Sequence, residues 1–309
     1  MSFKIRHKRY KKSPDKRPNQ FNNPLYYGCK VTQDLATIIF LEVNTMTGAI
    51  IGDIVGSRFE FHNHKSKEFT LFTPCCFFTD DTVMTLAVAK ALNEYETITD
   101  YDDFKMTLIK SMHEIGNHYP NCGYGGRFYG WIRNRRTTPY NSYGNGSAMR
   151  VSPVGWYAKS LDEAERLAKA TAVVTHNHPE GIKGAVSVAG AIYLARTGST
   201  MNELRKYVSR FYKIDFTLNR IRPTYGFHET CQDSVPEAFE AFFESVSFED
   251  AIRNAISIGG DSDTIAAITG SVAEAFYGVE NKLKETAVSY LDERLLKIYN
   301  EFNNKTEVK

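Results

Sequence analysis

The stretch TDDTVMTLAVAKAL, residues 79–92, decides the fold class. Its apolar side chains recur three or four positions apart, at Val83, Leu86, Ala87 and Ala91. That spacing places them on one face of a helix and differs from the alternation of a β-strand. Asp80 and Asp81 stand directly before the apolar face, where acidic residues favour a helix start. The stretch therefore predicts an amphipathic α-helix that opens with two carboxylates.

The same helical periodicity occupies much of the chain after Met46. It recurs over residues 161–172, 181–196, 234–243, 248–257, 264–277 and 282–302, with short loops rich in Gly, Asn and Pro between them. Alternating patterns typical of strands are scarce. The sequence therefore predicts an all-α protein with one compact helical domain over residues 46–309. Two domains are the alternative for a chain of 309 residues.

Composition limits the class of protein. Hydrophobic residues make up 42% of the chain and charged residues 24%, which excludes global disorder. No run approaches the roughly 18 to 20 apolar residues that cross a bilayer, so no membrane contact is expected. The five cysteines include no CxxC pair, which indicates a reducing compartment and favours the cytoplasm.

The first 45 residues differ from the rest of the chain in charge and in proline content. They contain nine Lys or Arg against three acids and are interrupted by prolines, which predicts a flexible basic leader over residues 1–45. Such a leader could contact nucleic acid electrostatically. A solvated tail, or sequence upstream of a true start at Met46, is the favoured interpretation because no aromatic platforms accompany the charges. An organelle-targeting peptide stays open as a further alternative.

Small residues recur at helical spacing in two places. Gly48, Gly52 and Gly56 stand four apart, as do Ala185 and Ala189. We expect helix backbones to pack closely there. The sequence has no GxGxxG motif after a strand and no GxxxxGK[ST] motif, so a dinucleotide fold or a P-loop finds no support.

Carboxylates concentrate in three motifs. GDIVGSRFE carries Asp53 and Glu60, FTDDT carries Asp80 and Asp81, and GGDSDT carries Asp261 and Asp263. Helix capping explains one acid at each of the two predicted helix starts. A second acid in apolar or glycine-rich surroundings costs free energy unless cations compensate the like charges.

Oxygen ligands narrow the choice of metal. Carboxylate and hydroxyl oxygens without clustered Cys or His favour Mg²⁺ or Mn²⁺ over Zn²⁺. Six formal negative charges would need about two divalent cations. The three motifs therefore predict a dinuclear metal site, with plain helix capping as the alternative.

The order of the motifs resembles a known family. GAIIGDIVGSRFE, FTDDTVMTLAVAKAL, NSYGNGSAMRVSPVGW, THNHPEGIKGA and AISIGGDSDTIAAITGSVAEA follow one another as in the ADP-ribosylglycohydrolase family, the DraG-like hydrolases. The resemblance runs from about residue 46 to 277 or beyond. It implies a compact all-α fold with two Mg²⁺ or Mn²⁺ ions in a cleft. It also implies a hydrolase that cleaves the bond between ADP-ribose and an acceptor.

The resemblance assigns roles to individual residues. The implied metal shell is Thr79, Asp80, Asp81, Asp261, Asp263 and Thr264. Glu60 is the candidate base, Asp81 is a further catalytic candidate, and Asp53 is expected to support the site without touching the metals. The expected substrate-binding residues, in two glycine-rich loops and one histidine loop, are Gly123, Tyr124, Gly125, Gly126, Ser142, Tyr143, Gly144, Asn145, Gly146, Ser147 and His176. Tyr143 or a neighbouring aromatic could stack on adenine.

The expected mechanism has two metals holding the distal ribose and activating a water whose proton Glu60 accepts. A non-catalytic binder of ADP-ribose or related nucleotides is the alternative from another class. A metal-dependent phosphohydrolase and a nucleic-acid-associated protein acting through the leader are further alternatives. The expected partner is an ADP-ribosylated protein, small molecule or nucleic acid. The acceptor stays open, because it depends on rim loops at residues 127–140 and 220–231.

Overall fold

This computed structural model describes residues 46–307, whose regular secondary structure is helical. The helices are α1 (Thr47–Gly56), α2 (Asp80–Asn93), α3 (Tyr101–His118), α4 (Gly126–Arg133), α5 (Gly146–Met149), α6 (Ser152–Tyr157), α7 (Leu161–Val173), α8 (Pro179–Arg196), α9 (Met201–Val208), α10 (Leu218–Ile221), α11 (Val235–Phe243), α12 (Phe248–Ser257), α13 (Ser262–Tyr277), α14 (Asn281–Val288) and α15 (Glu293–Glu307), with a 3₁₀ turn at Cys231–Asp233. Within residues 46–307 there is no β-strand, and the prediction of an all-α protein is confirmed. The basic leader predicted over residues 1–45 lies outside the described residues.

Helices α1 and α13 cross at the centre of the core. Every residue of α1 is buried, and α13 is buried from Ser262 to Glu274. The three glycines of α1, Gly48, Gly52 and Gly56, form what we call the glycine ladder. A Cβ atom at Gly52 would lie 2.1 Å from the carbonyl oxygen of Ala266. The expectation of close helix packing is confirmed, because the backbones meet at a distance that excludes any side chain.

The remaining helices surround this crossing. Helix α2 packs against α1, α3, α6 and α15, while α11 and α12 cover α13. Helix α8 packs against α7, α6 and α13. The apolar face predicted for α2 is buried without exception from Val83 to Ala89. One continuous apolar core results, and it holds the first turns of α2 and α13 in fixed positions.

Two features of the chain differ from the predicted helices. Residues 282–302 were expected to form one helix, but α14 ends at Val288 and α15 begins at Glu293. The reason is Asp292, whose side chain accepts hydrogen bonds from the backbone N–H groups of Arg294 and Leu295 and so starts a new helix. The rim segment 127–140 is not all loop, because α4 continues to Arg133.

The loops between the helices meet on one side of the core. The segments 119–125, 134–145 and 222–234 carry no regular structure except short turns and the isolated bridge between Gly144 and Thr230. No helix within residues 46–307 combines the length and the apolar character needed to cross a membrane.

Candidate functional site

A cavity of about 380 Å³ opens where these loops face the starts of α2 and α13. That volume falls in the range of small-molecule sites. Six acids line it: Glu60, Asp80, Asp81, Glu229, Asp261 and Asp263. Glycines of both predicted loops line it as well, namely Gly123, Gly125, Gly126, Gly144 and Gly146. Acids that are 200 residues apart in the sequence therefore share one wall.

The start of α2 is fixed by Asp53 of α1. The Asp53 carboxylate accepts hydrogen bonds from the Thr79 N–H (2.9 Å), the Thr79 hydroxyl (2.7 Å) and the Thr82 N–H (3.0 Å). Asp53 is completely buried and does not line the cavity. Its role is to hold the first turn of α2 against α1. The Thr79 side chain faces Asp53 in this arrangement and is likewise absent from the cavity wall.

A hydrogen bond joins the starts of α2 and α13. The Thr264 hydroxyl donates to Asp81 Oδ2 over 3.1 Å. The other carboxylate oxygen, Asp81 Oδ1, is buried and has no hydrogen-bond partner among the described residues. A buried carboxylate oxygen without a donor is costly, so this atom points to a missing positive partner.

The densest group of acidic oxygens lies at α13. Oxygens of Glu60, Asp261 and Asp263 lie within 4.8 Å of one another. Asp261 Oδ2 accepts a 2.7 Å hydrogen bond from the Asn145 side-chain amide, which ties the glycine-rich loop to this helix start. A Cβ at Gly56 would lie 2.4 Å from Asp263 Cα, so the last glycine of the ladder brings α1 directly behind the group.

Burial and mutual repulsion raise the pKa values of these acids. Burial, followed by the charge of Asp263, raises the pKa of Glu60 to about 8. The pKa of Asp261 is raised to about 7, chiefly by burial. Burial also raises the pKa values of three further acids well above their usual range, those of Asp80, Asp81 and Asp263. The wall is therefore short of positive charge.

The donor set fits hard divalent cations. All the converging side chains offer oxygen, as Mg²⁺ and Mn²⁺ prefer. Two soft donors lie nearby: the Met149 thioether, which is 3.8 Å from the Thr264 hydroxyl, and the Cys122 thiol, whose pKa burial together with Asp80 raises to about 12, which keeps it protonated. The residues that could hold cations are thus Glu60, Asp80, Asp81, Asp261, Asp263 and Thr264, all of which line the cavity.

The first glycine-rich loop borders the acids. Gly123 has a positive φ of 101°, and a Cβ there would lie 3.3 Å from Asp80 Oδ1. A Cβ at Gly125 or Gly126 would meet nothing within 4 Å, which leaves their backbone open to the cavity. Tyr124 turns away, since its ring packs against Phe128 and it does not line the cavity.

The second glycine-rich loop approaches His176. A Cβ at Gly146 would lie 3.3 Å from His176 Nε2, so only glycine leaves this ring nitrogen accessible. Ser142 and Asn145 also line the cavity, and Tyr143 is 45% exposed beside it. Ser147 does not: its hydroxyl donates to the Gly181 carbonyl oxygen over 2.7 Å, away from the cavity.

His176 is held neutral. Burial, then the charges of Arg150 and Arg127, lowers its pKa well below the usual value. Its Nδ1 lies 2.7 Å from the Thr175 hydroxyl, which accepts a hydrogen bond from Arg150. The Thr175 hydroxyl can accept from Arg150 and donate to Nδ1, and in that tautomer the ring N–H lies on Nε2. His176 therefore offers a neutral donor to the cavity.

The sequence analysis missed several residues of the cavity wall. Arg127, Tyr140, Arg150, Phe227 and Glu229 all line it. The guanidinium of Arg127 lies 4.8 Å from the centre of the Tyr140 ring, and its N–H donates to the Tyr140 carbonyl. Arg150 ends the SYGNGSAMR motif and could have been suspected from it. The others stand in rim segments whose sequence carries no local signal.

Comparison with known proteins gives a consistent result. Residues 43–308 match the family model described as ADP-ribosylglycohydrolase. The chain is 26% identical to the ADP-ribosylhydrolase ARH3 of Mus musculus over 315 residues, covering 76% of this chain and 83% of that protein. It is 27% identical to the ADP-ribosyl-[dinitrogen reductase] glycohydrolase of Rhodospirillum rubrum over 211 residues, covering 66% and 70%.

A solved structure supports the fold. It is described as an ADP-ribosylglycohydrolase-related protein complex and superposes with a TM-score of 0.60 at 21% identity. The match covers 84% of this chain and 96% of that one. At this level of identity, the likeness concerns the arrangement of the helices.

Proposed function

The chain belongs to the ADP-ribosylglycohydrolase family, and we propose that it hydrolyses the glycosidic bond between ADP-ribose and an acceptor with the help of two Mg²⁺ or Mn²⁺ ions. The observation that carries the proposal is the convergence of Glu60, Asp261 and Asp263 oxygens within 4.8 Å. Such a group of acids in a cavity bordered by glycine loops is poorly suited to bind an anion such as ADP-ribose unless cations are present.

The cations would be held by Asp80, Asp81, Asp261, Asp263 and Thr264, whose oxygens face the cavity. When bound, they would supply positive charge beside the distal ribose and increase the acidity of a water molecule. The protein keeps these ligands in place through two contacts. Thr264 bonds to Asp81, and Asn145 bonds to Asp261.

Glu60 is the proposed general base. It is only half-buried, lines the cavity and lies beside the Asp261 and Asp263 oxygens. Its ionised form accepts the proton of the attacking water while the water oxygen bonds to the anomeric carbon and the bond to the acceptor breaks. The departing acceptor atom takes up one proton, so that the products are ADP-ribose and the free acceptor, and the base returns to its ionised form.

The other wall of the cavity is proposed to orient ADP-ribose. Arg127 and the neutral His176 Nε2–H face the space in which a pyrophosphate would sit. The backbone at Gly144 and Gly146 can approach its oxygens without a clash. The exposed ring of Tyr143 offers a surface on which adenine could stack.

The test combines metal depletion with one substitution. ADP-ribosylated peptides and nucleotides are assayed for ADP-ribose release in chelator and then with Mg²⁺ or Mn²⁺ restored. We expect turnover to stop without metal and to return with it. Asp263→Ala is expected to lose about 10³-fold in kcat while keeping its helical circular dichroism. Full activity of that variant would refute the assigned role.

One outcome would favour the alternative from the binding class. If ADP-ribose binds with micromolar affinity while no substrate is cleaved under any metal condition, the chain is a binder that keeps the family fold. We also propose a reducing, cytoplasmic compartment. The four cysteines within residues 46–307 are free thiols, which supports it.

A further inference from the structure

A second cavity, of about 300 Å³, opens at the opposite end of α2 from the acids. Lys305 lines this second cavity, and its ammonium donates to the carbonyl oxygens of Leu92 (3.4 Å) and Asn93 (2.8 Å) in the last turn of α2. The 14 residues of α2 span roughly 21 Å. The second cavity is therefore distinct from the first, in which we propose that hydrolysis takes place.

Three cationic side chains line the second cavity, namely Lys159, Arg196 and Lys305. They come from three separate places in the chain: the segment after α6, the last turn of α8 and the last turn of α15. Among the described residues that line this cavity there is no carboxylate, whereas six acids line the first one. The second cavity therefore favours a ligand that carries negative charge.

The guanidinium of Arg196 is held in place from two sides. Its Nε donates to the Gly155 carbonyl oxygen over 2.8 Å, and its Nη2 donates to the Ala158 carbonyl oxygen. The same group lies 5.1 Å from the centre of the Tyr193 ring. Nη1 takes no part in these bonds. A charge that is fixed before a ligand arrives loses little conformational freedom on binding, so Arg196 is a prepared part of the site.

Neutralisation of helix ends accounts for only part of this positive charge. The carbonyl end of a helix carries about half a negative charge, and four helices end around the cavity, which offsets at most roughly two of the three positive charges. The Glu96 carboxylate approaches the Lys305 ammonium to 3.8 Å, but its side chain is 86% exposed and solvent screens it. Positive charge is therefore left over for a ligand.

The remaining large side chains of the wall are aromatic. Trp156, Tyr157 and Tyr193 line the second cavity; the first two are buried and Tyr193 is half-buried. Small-molecule sites commonly combine such apolar surface with a few charged groups that fix the orientation of the ligand. The wall is thus suited to an anion that is carried by an organic body.

We propose that the second cavity binds a phosphate monoester, with the phosphate among Lys159, Arg196 and Lys305 and the organic body against the aromatic side chains. A phosphate presents three terminal oxygens, so it can meet cations that come from three segments. A planar carboxylate pairs best with an edge of a guanidinium, and the Nε–Nη2 edge of Arg196 is already occupied by two carbonyl groups. The proposal is independent of the reaction in the first cavity.

The two tryptophans of the chain allow each cavity to be observed separately. Trp156 lines the second cavity, and Trp131 stacks on Phe128, which lines the first, with ring centroids 5.8 Å apart. The full-length chain is labelled with fluorotryptophan, and fluorine NMR follows both signals while AMP is added at constant ionic strength. Trp131→Phe assigns the two signals. We expect the Trp156 signal to shift and to saturate with a Kd below about 1 mM.

Two lysine variants test the place of the phosphate. Lys159 is exposed, and its ammonium lies 3.3 Å from the Thr97 hydroxyl, so Lys159→Gln should fold normally. We expect this variant to raise the Kd about threefold, and Lys159→Gln combined with Lys305→Gln to raise it about tenfold or more. The matched control Lys282→Gln removes an exposed cation of α14 that lines neither cavity, and it should leave the Kd unchanged.

Four results would overturn the proposal. A Trp156 signal that stays unshifted at roughly 10 mM AMP excludes a second site of useful affinity. A shift confined to the Trp131 signal places the ligand in the first cavity. Equal shifts with AMP and with uncharged adenosine show that the phosphate contributes nothing. A Kd that neither the single nor the double lysine variant changes overturns the assignment of these cations.

Discussion

The two walls of the cavity are built in opposite ways. The acids of the first wall are buried at the starts of α2 and α13, and Asp53 and the glycine ladder hold those starts together. The second wall, which we call the loop wall, consists of loops and the first turn of α4, and it combines exposed side chains such as Arg127 and Tyr143 with the buried His176. The difference teaches that the metal-binding part requires exact positions, whereas the part that meets the substrate can vary.

The largest effect is expected from Gly52→Ala, which tests the first wall, the buried acids at the starts of α2 and α13, hereafter the rigid wall. The added Cβ would lie 2.1 Å from the Ala266 carbonyl oxygen, so α1 and α13 would have to separate. We expect the free energy of unfolding to fall by about 4 kcal/mol or more, or the protein not to fold. Urea unfolding followed by circular dichroism measures this. Gly130→Ala is the control, because nothing lies within 4 Å there and alanine should be neutral or stabilising. Equal stability of the two variants would contradict the close crossing.

A smaller effect is expected from Asp53→Asn. One orientation of the amide would turn its NH₂ group toward the Thr79 and Thr82 backbone N–H groups, which now donate to Asp53 Oδ2. The other would turn it toward the Thr79 hydroxyl, which now donates to Oδ1 and would have to reverse. We expect a loss of about 2 kcal/mol at pH 7 and a lower kcat. Asp100→Asn is the matched control, because Asp100 caps α3 at an exposed site where asparagine caps equally well. A neutral Asp53→Asn would mean that the start of α2 needs no support from α1.

The pH dependence of stability tests the charge of the rigid wall. In metal-free protein the pKa of Glu60 is raised to about 8 and that of Asp261 to about 7, so the folded state binds more protons than the unfolded state between about pH 4 and 8. Stability should therefore fall as the pH rises through this window. We expect the Tm in chelator to drop by roughly 5 °C from pH 5 to pH 8. Mg²⁺ should reduce the drop, and a Tm that rises with pH would contradict the raised pKa values.

The smallest effect is expected on the loop wall, from Arg127→Gln. This side chain is exposed and lines the cavity without touching the acid group at α13. We expect KM for an ADP-ribosylated substrate to rise about tenfold with kcat nearly unchanged, and the effect to weaken at high salt. Arg133→Gln, farther along α4 and outside the cavity, is the control. A loss in kcat alone would show that Arg127 belongs to the chemistry.

The sequence predicts the rigid wall well because its signals are local. The apolar spacing after Asp81 and the capping residues before it define the start of α2 within a few positions. The spacing of the glycine ladder likewise predicts the close crossing. Metal binding and the individual site roles remain predictions, although the oxygens of Glu60, Asp261 and Asp263 do converge.

The loop wall could not be predicted in the same way. Phe227 and Glu229 reach the cavity because the loop that carries them pairs with residues 143–145. A local sequence pattern cannot predict a contact between segments more than 80 residues apart. The break between α14 and α15 was missed because the apolar periodicity continues across it while the Asp292 cap starts a new helix. Tertiary contacts decide both cases.

The single bridge between Gly144 and Thr230 has a practical consequence for protein engineering. It couples the second glycine-rich loop to the segment 222–234, so neither segment can be shortened or grafted alone without displacing the other. In chimeras with other members of the family, the two segments should be exchanged as one cassette. New specificities could then be screened on an unchanged helical scaffold.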